Sequence, residues 1–556
     1  EQERPCSCPD RELPPELPTV LPVEPREENI GRLKEWIVSR YRASAFNTCT
    51  HQKLPLVKSS PPLRLYLDPK VRPVVCHKPG NIPLHLQADV KAGLEKDVRL
   101  GVLRKVAPNT PVKSFLHRMV IATKKNGKAR RTVDLKPLNR ACPRQTHAVE
   151  PPFWQANGVP PSTWKTCLDA KEGYHSIPIH ESDRKHTAFL TPWGRYEYLV
   201  TPQGHLAAGD GYCHRYDEIT RDFPDYKRCV DDTCLWHGTI EGNFRRTCEY
   251  LTLCSKNGIV FNLEKFQFCK RQVEFVGYNL TEEGMEPTRD MLNSIRDFPR
   301  PSDISGVRGW FGLVEQVAWA FSKTEVMLPF RSLLKKGESF LWTEELQEAF
   351  EGAKRVIIEK SKAGIKAFDT RKVTCVTTDW SKVGISFALM QKVCTCREVH
   401  PRCCREGWQL CLINSRFCSG AESRYAPIEG EALGVAWALE KAKHFVMGCK
   451  DLYIGVDHKP LLGIFSPDKA LADIDNPRLR NLAEKAGRYN FTAVHVKGVE
   501  NNISDSMSRH PVGEPAHMDL GSVVGVDKSS AAAWRAVASM DTRPPTLAEV
   551  REAEVR

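Results

Sequence analysis

Residues 226–236 read YKRCVDDTCLW, two short strand-like runs on either side of an Asp-Asp pair. A strand–turn–strand of this kind carries Asp231 and Asp232 at its tip and points both carboxylates the same way. Carboxylates a few Å apart repel, so such a tip is stable only with a cation between them. A third acid, Asp169, ends the stretch TWKTCLD and precedes AKEGYHSIPI. Supplied from a neighbouring strand, it completes a cage for divalent cations. Mg²⁺ prefers carboxylate and phosphate oxygens, and two such ions about 3.5–4 Å apart can activate an attacking hydroxyl and stabilise a leaving phosphate. An isolated Asp-Asp pair is more often a surface turn; here the flanking segments decide against that.

Four further acids come later in the chain. Asp379 ends a strand-like run in CVTTDWSKVGISFALMQ, and Glu431 starts a long helix in YAPIEGEALGVAWALEKA. Asp457 ends LYIGVD, and Asp505 lies in VKGVENNISDSMSRHP. Any one of them alone reads as structural, since acids are common at helix starts and strand ends. Four in this order, each in its own recognisable segment, are not a chance arrangement.

The chain has 556 residues, 41% hydrophobic and 27% charged, enough for about three to four globular domains. Its net charge of +13 favours a polyanionic partner without proving one. No apolar run approaches the ~18 residues of a membrane span. The start, Glu1-Gln2-Glu3-Arg4, is neither a signal peptide nor a methionine start, and suggests a segment processed from something longer. Twenty cysteines scattered through apolar stretches suit reduced, buried thiols of an intracellular protein better than a disulfide framework.

Residues 1–25 hold seven prolines and read as a linker or docking arm. The spacing of Ile30, Leu33, Trp36, Ile37 and Tyr41 predicts a helix within 28–41, and 52–90 reads as irregular. Phe244, Cys248, Leu251 and Cys254 share a helical face that Asn257-Gly258 terminates. IVFNL and QVEFVGYNL read as strands, and 343–357 as an amphipathic helix. From about residue 371 a second α/β unit begins, with a hairpin around WSKVG.

The segments RRTVDLKPLN (130–139), CLDAKEGYHSIPI (167–179), HTAFLTPWGRYEYLVTPQG (186–204), CVDDT (229–233), GIVFNLEKFQF (258–268) and VEFVGYNLTEEGMEPT (273–288) occur in that order. Together they resemble the ordered motifs of retroelement reverse transcriptases of the gypsy class, over roughly residues 25–512. The later acids resemble the ribonuclease H fold of the same elements. The resemblance implies an α/β and α+β multidomain protein: a right-hand polymerase (fingers, palm, thumb), a connection and a ribonuclease H-like domain. It divides the chain into a proline-rich extension (1–90), fingers and palm (91–290), thumb and connection (291–370), ribonuclease H (371–512) and a C-terminal tail (513–556).

The implied activity is RNA- and DNA-templated DNA synthesis with cleavage of the RNA strand of RNA–DNA hybrids. Asp169, Asp231 and Asp232 match the polymerase metal ligands, and Asp379, Glu431, Asp457 and Asp505 those of the nuclease, with two Mg²⁺ per site. Glu431 is preferred to its neighbour Glu429 because ALGVAWAL follows it as the family pattern requires. Ala170 would lie beside a metal through its carbonyl. Tyr174 matches the aromatic gate against a ribose 2′-hydroxyl, Gln203 the nucleotide-contacting glutamine, and Arg130 the triphosphate-binding arginine. Lys124 or Lys125 supplies the fingers lysine. Lys265 matches a proton donor to pyrophosphate, and Phe275, Val276 and Gly277 the primer grip. The thumb and connection region reads either as a helical spacer or as one in which Lys335, Lys336 and nearby basic residues also hold hybrid phosphates. Cys229, where Tyr or Phe is commoner, and TPQGH (201–205) depart from the wider family.

Expected partners are RNA template, DNA primer, hybrid and dNTPs, with no membrane. No Asp-Thr-Gly or Asp-Ser-Gly protease motif and no zinc module after the nuclease is present, so protease and integrase are expected elsewhere in a parent polyprotein. The expected location is intracellular, in cytoplasm or a virus-like particle. The alternative is a decayed or domesticated element that only binds nucleic acid; loss of a metal ligand would favour it, and none is lost.

One segment stands outside both constellations. KVCTCREVHPRCCREG lies where a ribonuclease H fold has a short turn, and brings Cys394, Cys396, Cys403 and Cys404 close in sequence, with His400 beside them. A Zn²⁺ would offset the closure entropy of such a loop. The spacing, Cys-x-Cys and Cys-Cys, is not the usual Cys-x₂-Cys, and a loop of unpaired or oxidisable thiols is the other reading.

Overall fold

The apolar stripe of residues 30–41 becomes a helix, Ile30–Tyr41, with Leu33, Ile37 and Tyr41 wholly buried. In this computed structural model the described residues are 8–123, 129–334, 340–401, 403–404 and 406–496. They fall into two units. One runs to Val276 and takes in Leu280–Glu282; the other takes Gly277–Asn279 and the chain from Glu283 onward.

In the first unit, a four-stranded sheet has the order Tyr226–Cys229, Asp232–His237, Trp164–Asp169, Gln267–Lys270. Helix Ile240–Lys256 packs on it through the expected face, with Phe244, Cys248, Leu251 and Cys254 all buried. The chain leaves that helix at Gly258, whose φ of 87° suits glycine. A side chain there would also meet the Leu56 carbonyl at 2.2 Å. A five-stranded sheet, ordered Leu103–Val106, Gly194–Tyr198, Phe189–Thr191, His117–Thr123, Ala129–Val133, forms the other half of this unit.

The structure corrects several of the sequence expectations. Residues set apart as an extension are part of the core: Leu33, Ile37, Tyr41, Phe46, Leu63 and Leu65 pack in one cluster with Phe244, Leu251 and Phe268. The Tyr41 hydroxyl donates to the Cys248 carbonyl at 3.1 Å. Outside helix Ile30–Tyr41 the prolines keep most of this stretch irregular, but they do not prevent its burial. IVFNL, moreover, is not a strand. Phe261 makes a single bridge to Ala170 and the chain then turns through Leu263–Lys265, because the Asn262 side chain accepts from the Glu264 N–H.

In the second unit, helices Arg289–Arg296, Ile304–Glu315 and Glu344–Lys362 surround Trp310, Trp342 and Phe350. Beyond them a five-stranded sheet has the order Trp408–Phe417, Gly384–Lys392, Thr374–Trp380, Leu452–Val456, Thr492–His495. Thr374–Trp380 pairs antiparallel with Gly384–Lys392 and parallel with Leu452–Val456. Helix Pro427–Lys441 packs against this sheet. Most of the described cysteines are buried, and no described helix is long and apolar enough to cross a membrane.

Candidate active sites

The first site is built by strand pairing. Trp164–Asp169 runs antiparallel to Asp232–His237, and the register sets Asp169 opposite Asp232. Asp231 stands one residue earlier, in the turn, where its carbonyl accepts from the Ala170 N–H at 2.8 Å. Val230 holds φ 56°, strained for a β-branched residue. Arg228 supports that turn by donating to the Val230 carbonyl at 2.7 Å. It is buried, pairs with Asp217 and lies 4.5 Å over the Tyr216 ring. Motif reading missed Arg228; the signal was an arginine inside a strand-like run, YKRCV, that leads into the Asp-Asp pair.

Burial and the neighbouring Asp169 charge raise both Asp231 and Asp232 to about 6. Asp231 Oδ1 is buried and makes no hydrogen bond. Lys265 Nζ, delivered by the turn after Phe261, lies 2.7 Å from Asp169 Oδ2. Three carboxylates, one with a stranded oxygen and one neutralised by an ammonium, are a donor set that fits hard divalent cations.

Arg130 and Gln203 line one cavity of about 890 Å³. Its wall also carries Lys53, Lys96, Arg131, Lys171 and Arg184 against Asp97 and Glu172. The three aspartates are not among its lining residues, but Lys171 and Glu172 connect it to Ala170 along the chain. Ala170 is buried. Tyr174 packs edge-on to Tyr212 at 5.9 Å, and its hydroxyl lies 3.9 Å from where a Gly209 side chain would begin. Phe275 is buried, and Val276 (φ 46°) and Gly277 (φ 86°) follow as two left-handed residues, a tight turn within what read as one continuous strand. Lys124 and Lys125 lie outside the described residues, as do Lys335 and Lys336.

The second site lies at the ends of two parallel strands. Their register runs from Thr374 opposite Leu452 to Thr377 opposite Gly455, and two residues further on each segment carries its acid, Asp379 and Asp457. Helix Pro427–Lys441 brings Glu431 to them, 6% exposed. Burial, then the charges of Asp457 and Asp379, push Glu431 up to about 9. Its Oε2 is buried without a hydrogen bond. Glu429, the other candidate, is occupied elsewhere. It accepts from Asn476 at 2.9 Å, Arg478 at 2.8 Å and the Ala426 N–H at 3.1 Å, and these bonds hold it below its ordinary range. The helix approaches the sheet closely at Gly430, where a Cβ would fall 2.1 Å from the Trp380 ring. That contact was not foreseen; EGE read only as two acids. Asp505 lies outside the described residues. A stranded acid oxygen beside two more carboxylates fits a divalent cation here as well. In the 393–407 loop, the sulfurs of Cys394, Cys396, Cys403 and Cys404 converge.

Residues 122–280 match the family model "Reverse transcriptase (RNA-dependent DNA polymerase)". Residues 369–489 match "RNase H-like domain found in reverse transcriptase". The transposon Tf2-7 and Tf2-8 polyproteins of Schizosaccharomyces pombe are each 26% identical over 395 residues, 70% of this chain. The chain spans only 28% of their length. Among solved structures, a foamy viral protease-reverse transcriptase in complex with double-stranded DNA has a TM-score of 0.70 at 16% identity, covering 87% of this chain and 84% of that one. The foamy viral protease-reverse transcriptase in complex with RNA/DNA hybrid has a TM-score of 0.68 at 15% identity, covering 90% and 67%. These likenesses speak for the fold. The two domain matches and the transposon relatives give the chain a reverse transcriptase domain and a ribonuclease H-like domain, consistent with that region of a gypsy-type LTR retrotransposon polyprotein.

Proposed function

We propose that this chain copies a retroelement RNA into DNA at Asp169, Asp231 and Asp232, and cleaves the RNA strand of the resulting hybrid at Asp379, Glu431, Asp457 and Asp505. The observation that carries the reading is the pair of carboxylate clusters, each with a buried acid oxygen that lacks a protein partner. Both domain families depend on divalent metals, and Mg²⁺ is the ion we assign, two per site. Bound Mg²⁺ supplies charge for the attacking and leaving oxygens of phosphoryl transfer.

The protein's own part is positioning. Strand register fixes Asp169 and Asp232 face to face, and Arg228 holds the turn that aims Asp231. The cationic cavity wall around Arg130 suits the triphosphate of a dNTP, with Gln203 in the same wall; the resemblance adds Lys124 or Lys125, outside the described residues, as the fingers lysine. Tyr174, braced by Tyr212, takes the space of a ribose 2′-hydroxyl. Lys265 keeps a proton beside Asp169, where it can pass to the pyrophosphate. Phe275, Val276 and Gly277 form a turn suited to gripping a primer backbone. Template RNA, primer and hybrid are the macromolecular substrates, and protease and integrase parts of a parent polyprotein are the expected partners, within a virus-like particle.

Primer extension on an RNA template and cleavage of a labelled hybrid, each with and without Mg²⁺, test this. Asp231→Asn is expected to abolish extension and spare cleavage, and Asp379→Asn to do the reverse. Loss of both activities from either change, in a folded protein, refutes the two-site assignment.

A further inference from the structure

Strands Gly384–Lys392 and Trp408–Phe417 pair as far as Lys392 opposite Trp408. Residues 393–407 then join them, although two to five residues usually suffice for a hairpin. Four sulfurs meet in this loop. The Sγ atoms of Cys394, Cys396, Cys403 and Cys404 all lie within 4.8 Å of one another, and Cys394 and Cys403 are 3.4 Å apart. A tetrahedral Zn²⁺ with Zn–S bonds of about 2.3 Å sets its sulfurs about 3.8 Å apart, inside that range.

The unusual spacing is overridden by the loop's path. Cys394 and Cys396 leave one strand while Cys403 and Cys404 approach the other, so the two pairs face across the loop. Gly407 makes room for them: a Cβ there would fall 2.7 Å from Cys404 Sγ, 2.8 Å from Cys394 Sγ and 3.2 Å from Cys403 Sγ. Cys375, Cys411 and Cys418 are core thiols, but Cys404 is exposed and the other three loop cysteines are half-buried. Of the four only Cys403 packs against the apolar core beneath, so hydrophobic burial gives no reason for all four to gather.

We propose that Cys394, Cys396, Cys403 and Cys404 bind one Zn²⁺ as a structural tetrathiolate centre that fastens this loop. Binding displaces the four thiol protons to solvent and leaves the centre with two negative charges. The Lys392 ammonium, bonded to the Cys396 carbonyl, stands beside it to offset them. The fastened loop also carries His400, whose Nε2 bonds to the His495 carbonyl at 3.1 Å. The His495 ring in turn bonds to the Asp457 carbonyl at 3.1 Å. The centre touches no reacting atom; it stiffens the loop that braces the strand beside Asp457.

The full chain, expressed with zinc and purified in reducing buffer without chelator, tests this by elemental analysis. One Zn²⁺ per chain is expected, kept in Cys76→Ser, much reduced in Gly407→Val and lost from the quadruple Cys→Ser variant. Cobalt loading of the wild type should give the charge-transfer and visible bands of tetrahedral cobalt thiolate. Less than about one Zn²⁺ per two chains overturns the proposal, as does equal zinc in the quadruple variant. So does a zinc-free chain lighter by two or four hydrogens, which would mean disulfides. Should the quadruple variant not fold, Cys404→Ser and Gly407→Val decide, and undiminished zinc in both overturns it.

Discussion

Replacing Glu431 by Gln should stabilise the metal-free nuclease domain while destroying its activity. In the folded chain this carboxyl keeps its proton up to about pH 9, whereas in the unfolded chain it ionises near 4.5. Folding therefore binds a proton between those values, and stability falls as pH rises through that window. At about 1.4 kcal/mol per pH unit, the metal-free fold loses on the order of 3 kcal/mol between pH 4.5 and pH 7. A glutamine fills the same space without a charge to desolvate and avoids the loss. Hydrogen exchange in EDTA, followed at Thr374–Trp380 and Pro427–Lys441, reads this out, since comparing variant and wild type at one pH cancels the intrinsic rate. At pH 7 the variant should exchange about two orders of magnitude more slowly, and at pH 5 only a few-fold more slowly. Mg²⁺ should protect the wild type and leave the variant unchanged. A difference that does not vary with pH, or faster exchange in the variant at pH 7, refutes the argument that burial and the neighbouring acids hold Glu431 protonated.

Tyr174→Val should raise ribonucleotide incorporation about tenfold or more, at about 1.4 kcal/mol per tenfold; unchanged selection between dNTPs and rNTPs in primer extension removes Tyr174 from the gate. DNA synthesis should decline as pH drops through about 6, where Asp231 and Asp232 take up protons, and added Mg²⁺ should move the decline to lower pH; a midpoint indifferent to Mg²⁺ counts against these groups as ligands. Gly430→Ala puts a methyl 2.1 Å from a Trp380 ring atom and so displaces Glu431. Hybrid cleavage should drop at least tenfold, by analogy with the cost of about 1 Å misplacement, while primer extension stays at wild-type level.

How legible the sites were depends on whether a residue's partner was near it in sequence. The strand–turn–strand at Asp231 and Asp232, and the helical face of Phe244, Cys248, Leu251 and Cys254, follow from local periodicity and turn chemistry, and the structure carries both. The parallel pairing of the strands that lead to Asp379 and Asp457 joins segments more than seventy residues apart, and only the resemblance pointed to it. Arg228 escaped notice because its partner Asp217 sits on a separate helix. The division of labour between Glu429 and Glu431 needed Asn476 and Arg478, contributed by a distant turn and the helix after it. The proline count foretold irregular backbone for much of the chain before residue 90 outside helix Ile30–Tyr41, but said nothing of which side chains the palm would enclose.

Enclosure of those side chains bears on how a polyprotein can be cut. Leu33, Ile37 and Tyr41 are fully enclosed beside Phe244 and Leu251, and each such side chain typically contributes about 2–5 kcal/mol to a core. Removing the chain through Tyr41 would strip these three side chains from that core. A truncation that starts after Tyr41 is therefore expected to destabilise this core, and we propose that processing of a parent polyprotein spares the stretch from Ile30 onward.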